Sequence, residues 1–558
     1  MDHRKYQPGY FMPPGNCRKW AARQHITAPP VWCSVDMRDG NQSLITPMSL
    51  QEKLEFYRML LQVGFKEIEV GFPAASPTEY TFLRTLIDER MIPGDVSIQV
   101  LTQCREHIIR KTFEACAGAP NAIIHFYNSV SAAQREQVFR KDKDAVRKIV
   151  VDGARMVKKM AGEYPGSFRF EYSPESFTGT EPEYALEVCN AVLEILEPSP
   201  ENNVIINLPV TVEMSLPHIY ASQVEYVSDN LICRESVTLS LHPHNDRGTA
   251  VADTELALLA GAQRVEGTLF GNGERTGNVD IVTLAMNMYS HGVDPKLDFS
   301  DMPSLVATYE KCTGMTVHPR SPYAGALVFA AFSGSHQDAI AKGMKFRKDN
   351  GMDTWNVPYL PVDPTDINRT YDSDVIRVNS QSGKGGIGYV IEQNYGFSMP
   401  RLMQEHFSYI CKNFSDSRHV ELKPADLLQI FRDTYFPREQ ARFAIAQLDF
   451  EKDGDDMVAN VAFAVNGEAR KPLSARGNGP LDAVSNAIKN FTGRKYLLDV
   501  YSEHSLQGRG SGSRAAAYIG LKSPEGKMFW GAATNTSIIR AGVDALVCAF
   551  DNLLADAE

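Results

Sequence analysis

The sequence predicts an α/β protein, with a (β/α)8 TIM barrel followed by a mostly helical connector and a C-terminal α+β domain. Between residues 31 and 295, eight short apolar runs alternate with eight helical segments, which is the pattern of a closed parallel barrel. After residue 435 the chain changes to alternating strand patterns in two groups that each end in a helix, which indicates a separate α+β domain. The predicted divisions are an N-terminal arm (1–30), the barrel (31–295), the connector (296–435) and the C-terminal domain (436–558).

Composition excludes several classes of protein. The 558 residues exceed a single core, and 43% hydrophobic with 22% charged residues is typical of a globular protein. A formal net charge of −11 argues against a nucleic-acid partner. No apolar run approaches the roughly 18–20 residues of a membrane span, and the first residues lack a signal core. Nine cysteines without paired spacing indicate reduced thiols in a cytoplasmic protein.

Each predicted barrel strand is a short run of apolar and β-branched residues. The eight strands are Val31–Met37, Glu67–Phe72, Val96–Thr102, Ala122–Tyr127, Phe168–Tyr172, Asn203–Asn207, Val237–Leu241 and Arg264–Phe270. A doubly wound open sheet would show the same alternation. The barrel is favoured because polar residues follow most of these strands, at the end where barrel active sites are built.

The first predicted helix has clear signals at both ends. Ser49 and Glu52 form a capping box, apolar residues recur at helical spacing from Leu50 to Leu61, and Gly64 is expected to end the helix. The other predicted helices of the barrel are Thr78–Glu89, Arg105–Ala117, Asp142–Gly162, Glu183–Leu196, Pro217–Asp229, Thr249–Ala260 and Asp280–Met288.

Outside the barrel the predictions are coarser. The arm is expected either to dock on a partner subunit or to fray. In the connector, the charged, glycine-containing stretch Lys342–Asn356 is expected to be a mobile loop. The C-terminal domain is expected to be a pseudo-repeat of two strand-rich units, with helices near 480–491 and 537–554.

His242 and His244 follow the predicted strand Val237–Leu241. Residues two apart on extended backbone point to the same side, so both imidazoles face one space, which suits a divalent metal. A lone His-x-His is about as often a pair of surface or capping histidines. Asp39, at the tip of the first strand, would complete an Asp/His/His ligand set with open positions for water and substrate.

Further polar residues occur at the other strand tips. They are Arg38, Glu69, Gln103, His125, Asn128, Ser173, Glu175, Asn207, Thr211 and the stretch Gly271–Asn278, with the apolar Leu101 among them. A cap or a turn explains any one of them but explains the whole set poorly, so the sequence predicts a metal-dependent active site. The glycines at 271, 273 and 277 do not have the dinucleotide-binding spacing, which favours a loop that approaches a ligand closely.

Several stretches resemble a family of enzymes that condense acyl-CoA with ketoacids, the 2-isopropylmalate, homocitrate and citramalate synthases, and more distantly 3-hydroxy-3-methylglutaryl-CoA lyase. The stretches are Met37–Gln42, Glu67–Pro73, His125–Ser129, Glu171–Glu175, Asn207–Thr211, Leu241–Asp246, Gly271–Asn278 and Gly477–Pro480. Phe332–Asp338, Val357–Pro361 and the C-terminal domain resemble the isopropylmalate branch. Asn41 replaces a glutamate found in many relatives and leaves Asp39 in place.

The resemblance implies condensation of acetyl-CoA with 2-oxoisovalerate and hydrolysis of the thioester, in the first committed step of leucine biosynthesis; a citramalate or homocitrate synthase is the alternative. It implies Asp39, His242, His244 and Asn278 as metal ligands, for Mg²⁺ first and Mn²⁺ or Zn²⁺ as alternatives, with K⁺ as an optional activator. Catalytic roles are implied for Arg38, Glu175, His336 and Tyr359, without deciding which of the last three is the base. Substrate binding is implied for Leu101, His125, Ser173, Asn207 and Thr211.

For the C-terminal domain, the resemblance implies a regulatory dimer. The chain would form a homodimer, with leucine as an inhibitory effector bound near Gly477, Gly479 and Pro480. No nucleic acid or membrane partner is expected.

Overall fold

The computed structural model describes residues 1–330, 334–371, 384–418, 422–438, 440–506 and 513–556. The chain divides into two compact units, one of Met1–Val328 with Val362–Thr370 and the other of Phe329–Pro361 with Tyr371–Glu558. Phe332 and Ser333, quoted above for the resemblance, lie outside the described residues. In the described part of the chain, no helix is long and apolar enough to cross a membrane.

The first unit contains the predicted closed barrel. Its strands are β1 (Val31–Ser34), β2 (Glu67–Gly71), β3 (Ser97–Gln103), β4 (Ala122–Ser129), β5 (Phe168–Glu175), β6 (Val204–Val210), β7 (Val237–Pro243) and β8 (Arg264–Gly267). Neighbouring strands pair in parallel, and β8 closes on β1. The TIM-barrel prediction is therefore confirmed, and the open sheet is excluded.

A helix follows each strand, and a ninth extends the unit. These are α1 (Leu50–Val63), α2 (Pro77–Asp88), α3 (Glu106–Cys116), α4 (Lys143–Ala161), α5 (Pro182–Leu196), α6 (Pro217–Asn230), α7 (Ala250–Leu259), α8 (Ile281–Ser290) and α9 (Met302–Thr313). In α1 the Ser49–Glu52 capping box forms, and Gly64 ends the helix with a φ of 107°. Both end signals in the sequence therefore predicted the structure correctly.

Two predicted strands end three residues earlier in the structure. The first ends at Ser34, and Asp36–Gly40 forms one π-helical turn; the last ends at Gly267. The Asp36 carboxylate accepts hydrogen bonds from the Ser34 hydroxyl (2.8 Å) and the Leu269 N–H (3.0 Å). These bonds draw the chain out of the extended conformation just where the polar residues begin, which apolar patterning cannot reveal.

The N-terminal arm contacts the barrel of its own chain. The buried carboxylate of Glu225 on α6 accepts the backbone N–H groups of Lys19 and Trp20, at 3.1 and 2.8 Å. Arg23 donates to the carbonyl of Leu259 at the end of α7. This part of the arm is therefore a fixed element of the unit rather than a frayed end.

The second unit begins with helices. These are α10 (Gly334–Asp349), α11 (Lys384–Tyr395), α12 (Arg401–Arg418) and α13 (Pro424–Tyr435). The prediction of a mobile loop at Lys342–Asn356 was wrong for its first half, because α10 continues to Asp349. Within α10, Gly343 lies against the Pro358 ring, where a Cβ atom on residue 343 would be 2.6 Å from the Pro358 Cδ atom. Close packing therefore explains this glycine within a helix.

The C-terminal domain has the predicted two-part architecture. One sheet comprises β9 (Phe443–Asp453), β10 (Asp456–Val465), β11 (Glu468–Ala469) and β12 (Leu473–Gly477), and α14 (Pro480–Thr492) follows it. The other comprises β13 (Leu497–Ser505), β14 (Ala515–Lys522) and β15 (Met528–Asn535), and α15 (Ile538–Asp556) follows it. Apolar residues of both halves pack in one core.

Candidate active site

Three candidate metal ligands converge at the C-terminal end of the barrel. Asp39 lies on the π-helical turn after β1, His242 lies near the end of β7, and His244 follows that strand. Asp39 Oδ2 is 3.1 Å from His242 Nε2 and 3.5 Å from His244 Nε2, and all three side chains are buried. Their donor atoms lie within 4.8 Å of one another, so the spacing predicted from the sequence is present in the structure.

The electrostatics of these residues fit a divalent cation. Burial raises the pKa of Asp39, but Arg38 and the two histidines hold it far below its usual range. Burial and the charge of His242 lower the pKa of His244 to about 4, so it is a neutral imidazole. For His242 burial is opposed by hydrogen bonds to Asp39 and Glu266, which raise its pKa to about 9. Asp39 is therefore ionised, and its negative charge favours a cation between it and the two histidines.

Asn278 supports this fit. It pairs with His244 through a backbone bridge, and its side-chain amide donates to the Asn272 carbonyl at 3.1 Å. Its Oδ1 atom is buried and, among the described residues, has no hydrogen-bond partner. An amide oxygen left free next to an Asp/His/His set is a suitable additional ligand for a hard divalent ion.

These ligands open onto a cavity of about 190 Å³. The predicted residues that line it are Arg38, Asp39, Leu101, His125, Ser173, Glu175, Asn207, Thr211, His242 and His244. Gln42, Tyr127, Pro209, Glu274 and Arg275 also line it. Asn278, Glu69, Gln103 and Asn128 were also predicted at the strand tips and do not line the cavity.

Arg38 and Glu175 provide opposite charges at this cavity. Arg38 pairs with Glu69 through Nε and with Asp39 through Nη1 at 2.6 Å, and these two carboxylates raise its pKa further despite burial. Burial raises the pKa of the Glu175 carboxyl, while Arg38 lowers it, and the net shift is upward. Glu175 is therefore a stronger base than an exposed glutamate.

The barrel interior holds charged and polar residues that sequence reasoning missed. Gln99, Glu171, Arg264 and Glu266 are all fully buried. Arg264 pairs with Glu67 at 2.5 Å and with Glu266 at 3.0 Å. In a strand pattern, polar residues of this kind are usually taken as solvent-facing positions. The only sequence signal for their burial is that they interrupt strands that are otherwise apolar.

The remaining predicted residues lie in the second unit. The rings of His336 and Tyr359 stack there with their centroids 4.1 Å apart. Gly477 ends β12, Gly479 is the N-cap of α14, and Pro480 is its first residue. A Cβ atom on Gly477 would be 2.3 Å from the Ala483 nitrogen, so close packing alone requires a glycine there.

Comparisons with known proteins cover the whole chain. Residues 30–308 match the family model described as HMGL-like, residues 326–392 match that of the alpha-isopropylmalate synthase post-catalytic domain, and residues 421–554 match the LeuA allosteric (dimerisation) domain. A 2-isopropylmalate synthase from Helicobacter hepaticus is 57% identical over 99% of this chain and 100% of its own length. A 2-isopropylmalate synthase from Desulfitobacterium hafniense is 57% identical over 99% of this chain and 98% of its own length. One from Agrobacterium fabrum is 50% identical over 97% of this chain and 96% of its own length.

Proposed function

Because the chain belongs to the 2-isopropylmalate synthases, we propose that its barrel condenses acetyl-CoA with 2-oxoisovalerate and hydrolyses the thioester to give 2-isopropylmalate and CoA. The observation that carries this proposal is the convergence of Asp39, His242 and His244 with Arg38 and Glu175 on one cavity. In this reaction the acetyl methyl loses a proton, its carbon bonds to the keto carbon, and water cleaves the thioester.

The metal site would be formed by Asp39, His242, His244 and Asn278. A divalent cation bound there supplies Lewis acidity toward the keto oxygen of the substrate. Mg²⁺ is the first candidate, and Mn²⁺ and Zn²⁺ suit the same nitrogen and oxygen donors; K⁺ is proposed only as an activator. The positive guanidinium of Arg38, held by two carboxylates, would stabilise the negative charge that develops on that oxygen.

The ketoacid would be bound by side chains of β3 to β6 and the loops after them. Thr211 Oγ1 accepts the Ser176 N–H at 2.8 Å, which leaves its own hydrogen for the substrate carboxylate. Both nitrogens of His125 are engaged, with Glu69 at 3.0 Å and Ser173 at 2.7 Å. We therefore assign His125 the role of holding Ser173, while Asn207 and the apolar Leu101 contact the substrate.

Glu175 is proposed to accept the methyl proton. It lines the same cavity as Arg38, and its burial makes the carboxylate a better base. His336 and Tyr359, which stack on each other in the second unit, are proposed for the later proton transfers and thioester hydrolysis.

The C-terminal domain is proposed to form a homodimer and to bind leucine as an inhibitor. The match of residues 421–554 to an allosteric dimerisation domain supports this role. Gly477, Gly479 and Pro480 at the start of α14 are proposed to frame the effector. Inhibition of the barrel by leucine bound in the C-terminal domain would be a coupling between two sites.

The test is CoA release by the purified full-length protein. Acetyl-CoA would be supplied with 2-oxoisovalerate, pyruvate or 2-oxoglutarate, each with and without leucine. We expect rapid release with 2-oxoisovalerate and a lower rate when leucine is added. Faster release with pyruvate or 2-oxoglutarate would assign a citramalate or homocitrate synthase instead.

The metal site has its own test. Because His242 would contribute one of the four proposed protein ligands, His242→Ala should abolish turnover and weaken Mn²⁺ binding by at least about tenfold in titration calorimetry. His218→Ala, which changes a histidine of helix α6 that does not line the cavity, is the control and should bind Mn²⁺ normally. Unchanged turnover in His242→Ala would remove the metal assignment.

A further inference from the structure

A closed ring of six buried, hydrogen-bonded side chains crosses the barrel interior. Its bonds join Glu69 to His125 (3.0 Å), His125 to Ser173 (2.7 Å), Ser173 to Asn207 (2.9 Å), Asn207 to Glu266 (3.2 Å), Glu266 to Gln99 (2.6 Å) and Gln99 back to Glu69 (2.6 Å). Four of the six come from alternate strands, β2, β4, β6 and β8, which is how one layer of a TIM-barrel interior is built. Here that layer is polar where branched apolar side chains are usual.

Gln99 closes this ring between two carboxylates. Its Nε2 atom donates to Glu69 Oε2 and to Glu266 Oε1, each at 2.6 Å. Arg264 Nη2 donates to Gln99 Oε1 at 2.7 Å, which fixes the amide with its NH₂ group toward both carboxylates. Without this group, two buried like charges would face each other with no donor between them.

Each of these carboxylates holds one residue of the proposed active site. Glu266 Oε2 accepts from Nδ1 of the metal ligand His242 at 2.7 Å, which leaves Nε2 directed at Asp39. Glu69 Oε1 accepts from Nε of Arg38. Gln99 therefore contacts neither substrate nor metal ligands, yet it fixes the partner of His242 and the partner of Arg38.

The spacing of Glu69, His125 and Glu266 would by itself suit a second metal ion, since their donor atoms lie within 4.8 Å. The Gln99 NH₂ group already donates to both carboxylates, and His125 Nδ1 also donates to Glu69. Arg264 adds a buried positive charge beside Glu266. The three residues are thus held together by an amide and a guanidinium.

We propose that Gln99 is a positioning residue for the condensation, whose amide bridge between Glu69 and Glu266 aligns the metal ligand His242 and the guanidinium of Arg38 with each other. This inference rests on the proposed function. It predicts that one change on β3, remote from both substrates, weakens metal binding and the chemical step together. Carboxylates that orient metal-bound histidines are usually worth about 10–100-fold in metal affinity or activity.

The test is Gln99→Met in the full-length protein, which keeps the side-chain length and removes both donated hydrogen bonds, together with the bond accepted from Arg264. We expect Mn²⁺ affinity, measured by titration calorimetry, to fall at least about tenfold. We also expect kcat for CoA release to fall, with a smaller change in KM for the ketoacid. Ser240→Ala is the matched control, because it removes a hydrogen bond to Arg264 at similar depth and should leave Mn²⁺ affinity within about twofold.

A double variant shows whether Gln99 acts through Glu266. Glu266→Gln alone should weaken Mn²⁺ binding, and adding Gln99→Met should then change the affinity by less than about twofold. If the losses of Mn²⁺ affinity in the two single variants added up fully in the double variant, the proposal would be overturned. Gln99→Glu, of nearly the same shape, can donate to one carboxylate when protonated and to neither when ionised, and it should also weaken Mn²⁺ binding; it replaces Gln99→Met if that variant does not fold.

The outcomes separate this inference from the proposed function. Normal Mn²⁺ binding by the wild type and by folded Gln99→Met would overturn the role of Gln99 alone. A wild-type protein that does not bind Mn²⁺ would overturn the metal centre, and the role of Gln99 with it.

Discussion

At the scale of single residues, Leu101 is an apolar contact in a cavity lined mostly by polar side chains. Its side chain lies against the space proposed for the branched end of the ketoacid. Leu101→Ser should lower the ratio of kcat/KM for 2-oxoisovalerate over pyruvate by about tenfold or more, since one or two methyl groups in a pocket are worth that much.

The control for Leu101 is its neighbour on β3. Val100 is fully buried and points to the opposite face of the strand. Val100→Ala should lower stability without altering the ratio between the two ketoacids. An unchanged ratio in Leu101→Ser would exclude Leu101 from the specificity pocket.

Asp253 on α7 should make stability depend on pH. Burial, followed by the hydrogen bond and charge of Glu213, raises the pKa of Asp253 to about 8. The folded protein therefore keeps a proton that the unfolded chain releases above about pH 4, so stability should fall as pH rises from about 4 to about 8. Asp253→Asn keeps a donor toward Glu213 without a titratable proton, and its Tm should fall less than that of the wild type between about pH 6 and pH 8.

Asp95→Asn is the control for this pH effect, since Asp95 is exposed and pairs with Lys66 at the surface. Its Tm should show the same pH dependence as the wild type. If Asp253→Asn also matched the wild type, Asp253 would not carry the proton.

The sequence identified most residues that line the cavity, but of the buried carboxylates around them it singled out Glu69 alone. His242, His244 and Asp39 were predictable because polar residues at strand tips have no packing role there. Glu266 and Gln99 lie within strands and bond to residues 24 and 30 positions away in the chain, respectively. Such partners are set by barrel closure, which residue spacing along one strand does not reveal.

At the scale of elements, the loop from Gly271 to Asn278 depends on a backbone that only glycine adopts easily. Gly277 has a φ of +91°, and a Cβ atom there would be 1.8 Å from the Gly271 carbonyl oxygen. Gly277→Ala should therefore displace Asn278 and weaken Mn²⁺ binding by at least about tenfold, as measured by calorimetry.

Gly248 offers the matched comparison for this loop. It has a φ of +77°, but a Cβ atom there would have no other atom within 4 Å. Gly248→Ala should cost only about 1 kcal/mol for its backbone conformation and leave Mn²⁺ binding intact. An equal loss of Mn²⁺ affinity in Gly277→Ala and Gly248→Ala would mean that glycine flexibility, and not the position of Asn278, determines Mn²⁺ binding.

Element boundaries were predictable where local chemistry determines them. The capping box at Ser49 and the left-handed Gly64 bound α1 in both sequence and structure. The π-helical turn at Asp36–Gly40 was not predictable, because its bonds to Leu269 join residues more than 200 positions apart. The prediction of element boundaries therefore failed at the tip of the first strand, where tertiary contacts override the local sequence pattern.

At the scale of the whole molecule, the proposed leucine response needs a test that leaves the second unit intact. Helices α11 to α13 share a core with β14 and β15, in which Phe407 and Phe431 pack with Tyr518 and Trp530. Removing the chain after about residue 435 would therefore strip these helices of part of their core. A point change at the proposed effector site is the better experiment.

Gly479→Val is that change. Gly479 has extended backbone and no atom within 4 Å of a Cβ position, so the protein has room for a larger side chain there. If leucine binds at this residue, the added bulk should raise the concentration for half-inhibition of CoA release at least about tenfold, because overpacking a fitted site is costly. Inhibition at the wild-type concentration would exclude Gly479 from the effector site.

The six-residue ring also determines where protons can travel. In the tautomer in which His125 Nδ1 donates to Glu69, Ser173 accepts from Asn207 and donates its single hydrogen to His125 Nε2. Both amides act only as donors within the ring and both carboxylates only as acceptors, so no concerted shift of hydrogens can pass a charge around it. The ring is therefore not a closed path for protons, and we expect the protons exchanged during turnover to pass through the cavity that Glu175 lines.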